Sequence, residues 1–417
     1  MKKAYTHLLG LACALALGAP AYAQVLTLEE ALRLGEAQSP RLAAQRHALD
    51  AAQEQAARAG ELPDPKLRLG IENLPVTGPD RYQTNTDFMT MRAIGVMQEF
   101  PGSGKRSARA ARAASARDVE RSMLHSQRAM LQRDIAVAWL DAHFAERSRA
   151  SLERLVERLA AQADTVAAGV ARGRQGAADS FMLRGAVEQA RDRVLDQDRL
   201  VTRARVALAA LLQDDAKRPL GTAPDLGQLP HSRETLLARV HDHPHLRVYD
   251  VREELAKAEV EVARSSKSSD WSLEVGYGYR RPAFDNMLTV MVAVDLPWQA
   301  KNRQDRDVAS RLAELEQARA VREDARRTHE AEMLGSLADY DALTQRLARY
   351  RTVLVPLAGE RSEAALAGYR GGRAELAPVL EAQRAITETE LAAIAIEAER
   401  ARAWANLSYL YPHEEAK

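Results

Sequence analysis

The sequence is poor in cysteine, in aromatic residues and in net charge. Its 417 residues include one cysteine, and only 5% of them are aromatic. Lysine and arginine together number 59 and aspartate and glutamate 58, so the formal net charge is +1. Proteins that bind nucleic acid carry a strongly basic surface, and this balance indicates none. The composition therefore predicts no nucleic-acid partner, and a single cysteine cannot form an internal disulfide.

Beyond its first residues the chain also lacks an apolar run of 18 residues, the length that a membrane-spanning helix needs. Its first residues do carry an export signal: Lys2 and Lys3 precede an apolar stretch, and Ala21–Tyr22–Ala23 is a small-x-small cleavage site. We expect a signal peptide over 1–23. Lipidation at Cys13 is the alternative, but Gly10 and Leu11 fit a lipoprotein signal poorly. Periplasm, outer membrane and secretion are the destinations left open.

The sequence does contain one motif that occurs twice. Glu99–Lys105 (EFPGSGK) and Asp295–Lys301 (DLPWQAK) each end a stretch of alternating apolar residues and precede a long segment typical of a helix. Such a repeat indicates a duplication. We expect two structural repeats, 24–225 and 226–417, interleaved in one domain, each with the order helix, strand, strand, long helix, turn, helix.

The spacing of apolar residues predicts the individual elements. The expected segments are a helix over 27–59 interrupted at Pro40, strands at 66–72, 89–100, 272–280 and 288–296, helices over 105–168 and 177–215, a long helix from about Lys301 with a kink or break at Pro356, and a last helix ending before Pro412. A helix over 105–168 would be about 100 Å long. The fold class is therefore mainly α with a small β part.

The predicted strands each have one apolar and one polar face, and four strands cannot close a barrel. Leu288, Val290, Val292, Val294 and Leu296 form the most regular apolar face. Isolated hairpins are marginally stable in water, and open strand edges need partners. Joining three copies would give twelve strands in a lipid-embedded barrel, with the long helices forming a second, helical barrel below it.

This layout resembles the TolC-type outer-membrane factors over the whole mature chain. The resemblance implies a homotrimer with a 12-stranded outer-membrane β-barrel on a long periplasmic α-helical coiled-coil barrel. It also implies an exit duct in a tripartite efflux system, with a periplasmic adaptor protein and an inner-membrane resistance-nodulation-division transporter as partners and outer-membrane lipid around the barrel.

Three segments resemble the heavy-metal branch of that family, the CzcC and CusC type: Phe100–Arg106, Leu296–Asn302 and Tyr369–Leu376. That likeness implies export of heavy-metal cations. Ducts for organic drugs or for type I secretion are the alternative within the family. A periplasmic coiled-coil scaffold or adaptor without a barrel is a second alternative, although its strands would not form two separated alternating pairs.

The resemblance also implies sites at the two turns between long helices. The expected adaptor-docking residues are Arg172, Gly173, Arg370 and Gly371. The expected periplasmic gate residues are Asp179, Tyr369, Arg373 and Glu381. Pro378 stands at another position where the family has an acidic ring, so the chain departs from the pattern there. Ordinary solvated helix polar residues are the alternative interpretation of all of these.

The histidines near Pro244 and the catalytic motifs bear on possible chemistry. His241, His243 and His245 resemble a metal-binding tract, but Pro244 divides them and the corresponding first-half segment is Gln38–Arg41 (QSPR). A turn that interrupts a helix is the favoured interpretation, so no metal site is predicted. The sequence contains no HExxH, GxSxG or complete phosphate-loop motif, and we expect neither an enzyme nor a cofactor.

Overall fold

A computed structural model describes residues 25–102, 104–172 and 176–409, so the predicted signal peptide lies outside it. In order, the described residues form α1 (Leu28–Gln38), α2 (Pro40–Arg58), β1 (Lys66–Glu72), β2 (Met91–Phe100), α3 (Lys105–Ala171), α4 (Ala177–Leu212), α5 (Arg233–Ala238), α6 (Pro244–Ser265), β3 (Trp271–Tyr279), β4 (Met287–Val294), α7 (Gln304–Arg349), α8 (Val355–Arg370) and α9 (Leu376–Ser408). Among these helices, none combines the length and the hydrophobicity that a membrane crossing requires.

The predicted order of helices and strands is confirmed, with differences at the boundaries. α7 begins at Gln304 rather than Lys301, because residues 298–303 form turns. α4 ends at Leu212, where a 3₁₀ turn over Gln213–Lys217 takes over. The short helix α5 was not predicted.

The interruption of the α-helix expected at Pro356 takes the form of a π-helical turn. The chain stays helical from Gln304 to Arg370, and a π-helical turn, Tyr350–Leu354, lies just before the proline. Proline has no N–H, and in a continuous α-helix its ring would clash with the carbonyl four residues earlier. A wider turn placed there changes the hydrogen-bond register and lets the helix continue.

The main core lies midway along the long helices, where the irregular segments around Leu26 and Leu226 pack across them. Trp139 of α3 is fully buried and donates from Nε1 to the Leu26 carbonyl at 3.0 Å. Tyr340 of α7 donates to the Leu226 carbonyl at 2.8 Å, and Trp404 of α9 donates to the Gln228 carbonyl at 2.8 Å. Buried aromatic rings usually satisfy their polar atoms, and here each does so on a connecting segment. These bonds hold the connecting segments against the long helices.

The four strands form one antiparallel sheet in the order β1-β2-β3-β4. β2 pairs with β3, for instance Val96 opposite Val275, so the first and second hairpins join in one sheet. In the described part of the chain, β1 pairs only with β2 and β4 only with β3. The two outer edges of the sheet are therefore open.

The PGSGK segment joins this sheet to α3. The Asp270 carboxylate accepts from the Gly102 N–H at 2.5 Å and from Lys105 Nζ at 2.8 Å. A Cβ on Gly102 would overlap the Ser269 carbonyl oxygen, so this position requires glycine. Gly104, with φ +83°, is the N-cap of α3. The segment therefore fixes the start of the long helix against the residues that precede β3.

We expect Gly102→Ala to lower the thermal unfolding midpoint of the purified protein. The added methyl must displace the 268–270 backbone, and overpacking of this kind typically costs about 1–3 kcal/mol. Circular dichroism in detergent measures the shift. The control is Gly185→Ala in α4, where a Cβ meets nothing within 4 Å and the midpoint should stay or rise. Equal midpoints for Gly102→Ala and the unmodified protein would contradict the close contact.

Candidate functional site

The turn between α8 and α9 has a shape that glycine determines. The Arg373 N–H donates to the Gly368 carbonyl at 2.9 Å, and the Gly372 N–H donates to the Tyr369 carbonyl at 3.0 Å. Gly372 has φ +67°, in the left-handed region. These bonds form a Schellman motif, which satisfies carbonyls at the end of α8. Arg370 and Gly371, two of the predicted docking residues, are exposed on this turn.

The turn between α3 and α4 is described in part. Arg172 is exposed and its N–H donates to the Gly169 carbonyl at 3.2 Å, whereas Gly173 lies outside the described residues. α4 begins after Gly176, and Asp179 lies in its first turn. A carboxylate there interacts favourably with the helix dipole, typically by about 0.3–1 kcal/mol.

Two of the predicted gate residues, Tyr369 and Asp179, come close to each other within one chain. Tyr369 packs against an apolar cluster that joins the ends of the two long hairpins; we call it the tip cluster, and its members are Leu155, Leu159, Val166, Leu183, Val187, Ala190, Leu376 and Val379. Burial raises the pKa of Tyr369, and the nearby Asp179 carboxylate raises it further. The tyrosine therefore stays protonated and able to donate at neutral pH.

The other two predicted gate residues lie apart from that pair. The Glu381 carboxylate in α9 accepts from Arg361 Nη2 of α8 at 2.9 Å, and both side chains are exposed. Arg373 folds back over its own turn, where a Cβ on Gly371 would lie 3.3 Å from Arg373 Nε. Pro378 stands in the first turn of α9, where a missing N–H costs no helical bond. Arg361 has no signal in the sequence, because its contact with Glu381 spans the turn between α8 and α9.

The histidine tract separates into different roles. His243 caps α6, with Nδ1 accepting from the His245 N–H at 3.2 Å ahead of Pro244. Ser39 caps α2 ahead of Pro40 in the same way, accepting from the Leu42 N–H at 3.3 Å. The turn interpretation of this tract is therefore confirmed. His241 lies in the preceding 3₁₀ turn.

The structure adds a histidine that sequence spacing could not reveal. The ring centroid of His329 in α7 lies 4.1 Å from that of His243, and His245 is next to them. Burial, followed by His329, His245 and Arg133, lowers the pKa of His243 to about 3. Across the described ranges, no group of three or more histidine, cysteine or acidic side chains is arranged to hold a metal ion.

The sheet offers a second kind of site, because its two faces differ. The register places the leucine, isoleucine, valine and aromatic side chains of all four strands on one face, which also carries Arg92 and Gln98: Leu67, Leu69, Ile71, Ile94, Val96, Phe100, Trp271, Leu273, Val275, Tyr277, Tyr279, Leu288, Val290, Val292 and Val294. Leu69 and Leu288 are each 71% exposed. On the opposite face, Arg68 pairs with Glu274 at 2.8 Å and Lys66 pairs with Glu99.

Exposed apolar patches this large mark a surface that meets lipid or another protein. The aromatic side chains concentrate at the two ends of this apolar face. Phe100 and Trp271 stack at the helical end with centroids 4.2 Å apart, and Phe88 contacts Phe284 beyond the other end at 6.3 Å. Aromatic residues at both borders of an apolar band are typical of barrels that cross a membrane.

Comparisons with known proteins agree with this geometry. No protein-family model matches the chain. It is 24% identical over 370 residues to the cobalt-zinc-cadmium resistance protein CzcC of Cupriavidus metallidurans, across 88% of this chain and 85% of that protein. The crystal structure of CusC superimposes with a TM-score of 0.77 at 15% identity over 92% of both chains. The Campylobacter jejuni CmeC outer membrane channel gives 0.77 at 13% identity, over 93% of this chain and 87% of that one.

These likenesses establish the fold. The chain has the protomer fold of the TolC-type outer-membrane channels, as the sequence analysis predicted.

The double change Tyr369→Phe and Asp179→Ala is expected to increase the resting conductance of the protein in planar lipid bilayers. It removes a hydroxyl donor and a carboxylate acceptor at the tip while leaving the tip cluster intact. The matched control, Tyr350→Phe with Asp192→Ala, changes the same residue types away from the turn and should leave conductance as it is. Unchanged conductance in the first variant would remove both residues from the gate.

Acidification should destabilise the protein partly through His243. Its pKa is about 3 in the folded state against an ordinary 6.5, so between these values the unfolded chain binds more protons and stability falls as the pH falls. His243→Ser retains a capping side chain and should reduce the loss of unfolding midpoint between pH 7 and pH 4. His47→Ser, at an exposed position of α2, is the control. An identical pH dependence for His243→Ser and the unmodified protein would exclude this role.

Proposed function

We propose that the protein is the outer-membrane exit duct of a tripartite resistance-nodulation-division efflux system, and that it exports heavy-metal cations. The observation that carries the proposal is the four-stranded sheet with one continuous exposed apolar face and two open edges. Lipid covers such a face, and copies of the same chain complete the edges. The protein conducts its substrate and catalyses no reaction.

Three copies satisfy this geometry. Each contributes β1 to β4, and pairing β4 of one copy with β1 of the next gives a 12-stranded barrel in the outer membrane. The long helices then extend into the periplasm. Within one chain α3 packs against α4 and α9, and α8 packs against α9, so the outer sides of α4 and α8 are available to neighbouring copies. Phe181 on α4 and Leu357 on α8 are exposed there, by 69% and 59%.

The duplicated organisation fits this assembly. Segments 24–225 and 226–417 each supply one strand hairpin and one long helical hairpin, and both contribute to the same sheet and to the same core. We therefore treat them as repeats interleaved in one domain. Each copy then adds two similar units to the wall, so three copies form six quasi-equivalent units around the duct.

The periplasmic tips are the place for the partners. A periplasmic adaptor docks on the exposed turns at Arg172, Gly173, Arg370 and Gly371 and joins the duct to an inner-membrane transporter. The gate consists of Asp179, Tyr369, Arg373 and Glu381. The fixed shape of the Gly372 turn supports a docking role, since a rigid turn loses little entropy when a partner binds.

The metal assignment rests on sequence likeness. The cobalt-zinc-cadmium resistance protein CzcC matches most of the chain, and the junction and tip segments carry the same resemblance. Ducts of the same fold, such as CmeC, are similar over their whole length at lower identity, so the fold alone does not select the cargo. The cargo of this duct is a heavy-metal cation, with organic compounds as the second candidate.

A strain that lacks the gene should grow poorly on graded zinc, cadmium, cobalt, nickel, copper or silver. The unmodified gene or the Thr289→Asp variant should restore growth, whereas the Leu288→Asp variant should not. The two positions are adjacent on β4 and lie on opposite faces of the sheet. An acid at Leu288 must enter lipid, whereas one at Thr289 meets water in the lumen. Carbonate washing of membranes should extract Leu288→Asp and leave Thr289→Asp in place.

Different results of these experiments contradict different parts of the proposal. Extraction of the unmodified protein by carbonate would contradict a membrane barrel. Sensitivity of the deletion strain to dyes and antibiotics with normal metal tolerance would retain the duct and overturn the metal cargo.

A further inference from the structure

The methionines of the sheet all lie on one face, and it is not the apolar one. The four strands contain Met91, Met97, Met287 and Met291. In the register, their strand partners include Glu72, Lys66, Gly278 and Glu274, so all four belong to the face that carries the Lys66–Glu99 and Arg68–Glu274 pairs. None of the strand positions on the apolar face is a methionine.

This sorting opposes the hydrophobic effect. Methionine is an apolar side chain, and in a lipid-embedded sheet burial in lipid would favour it on the face that holds leucine and valine. Here it stands instead among charged, glycine and alanine positions. Met287 and Met291 remain 45% and 53% exposed. Packing therefore does not account for Met287 and Met291 being methionine rather than threonine or serine.

The four methionines lie at two heights along β3, which we call the outer and the inner level. At the outer level, Met287 of β4 is directly opposite Gly278, and the Met91 side chain of β2 lies over that same glycine. Each neighbouring strand therefore places a methionine beside one residue that has no side chain. At the inner level, Met97 and Met291 are the two strand partners of Glu274. Four residues of β3 separate the levels, a distance of about 13 Å along the strand.

We propose that these two levels are binding sites for soft monovalent cations, Cu(I) or Ag(I), on the lumen wall of the duct. Thioether sulfur is a soft, polarizable ligand that favours Cu(I), whereas Mg(II) and Ca(II) favour oxygen. The inner level adds the Glu274 carboxylate, whose Oε2 accepts from Arg68 and whose Oε1 is a further ligand atom beside the sulfurs. Three copies would place two thioethers each, six in all, around each level.

The proposal rests on the duct function, because only a closed barrel makes this face a lumen. Within it, two levels of exposed, flexible thioethers bind a passing cation weakly and in succession. Conduction requires binding that is favourable enough to enter and weak enough to leave, and several such sites meet that condition. The apolar face contributes nothing to this step, which explains why it carries no methionine.

The test uses the purified full-length trimer and Ag(I) as the probe, with bound silver measured by equilibrium dialysis. The quadruple variant Met91→Leu, Met97→Leu, Met287→Leu and Met291→Leu keeps side-chain volume and removes the sulfurs. We expect it to bind Ag(I) about tenfold more weakly or worse, since even changes beside a metal site cost about 10–100-fold in affinity. Each pair alone, Met91 with Met287 or Met97 with Met291, should remove part of the bound silver.

The control is Met123→Leu with Met182→Leu, which removes two helical thioethers and should leave silver binding unchanged. Planar-bilayer conductance is recorded for every variant. If the quadruple variant conducts normally and binds as much silver as the unmodified trimer, the lumen sites are overturned and the duct function stands. If the unmodified protein forms no channel, the duct function fails, and the placement of the methionines in a lumen fails with it.

Discussion

A sheet with an exposed apolar face and two open edges is not stable in water as a single copy, and the rest of the structure depends on this constraint. The pairing of β2 with β3 makes this constraint stronger, because it joins both hairpins into one four-stranded unit. The unit needs an apolar environment on one face and other strands at both edges. In the proposed duct the long helices have a related purpose, since they would extend from the barrel towards partners across the periplasm.

Many charged side chains of this protein link its helices to one another. Glu253 of α6 is nearly buried and contacts Lys257, Arg319 and Arg322, so one carboxylate links α6 to α7. Glu397 of α9 likewise contacts Arg147 of α3 and Arg351 of the π turn. Exposed pairs contribute little energy each, and a buried carboxylate without partners would be costly. Paired contacts of this kind account for a composition rich in both signs and almost neutral in sum.

Sequence patterns predicted the elements whose signals are local. Alternation identified the strands, and the long segments with few helix breakers between the glycine-rich turns identified the helices. The capping role of the His243–Pro244 tract could be inferred from Ser39–Pro40. What escaped prediction depends on distant contacts: His329 reaches His243 from another helix, and Arg361 reaches Glu381 across a turn. The faces of individual strands were predictable, but the register that aligns the methionines needed the pairing of β2 with β3.

The proposed gate residues lie at the same ends of the helical hairpins as the tip cluster. In the proposed duct, opening must separate helices at the tip, yet Tyr369 is half-buried in the tip cluster of its own chain. Movement between copies therefore costs less than movement within one, because it leaves that cluster intact. Glu381 adds a second condition, since its bond to Arg361 neutralises a carboxylate that would otherwise face the duct. In the proposed duct, the attraction of the tip for cations would then depend on whether a docked partner keeps Arg361 on Glu381 or draws it away.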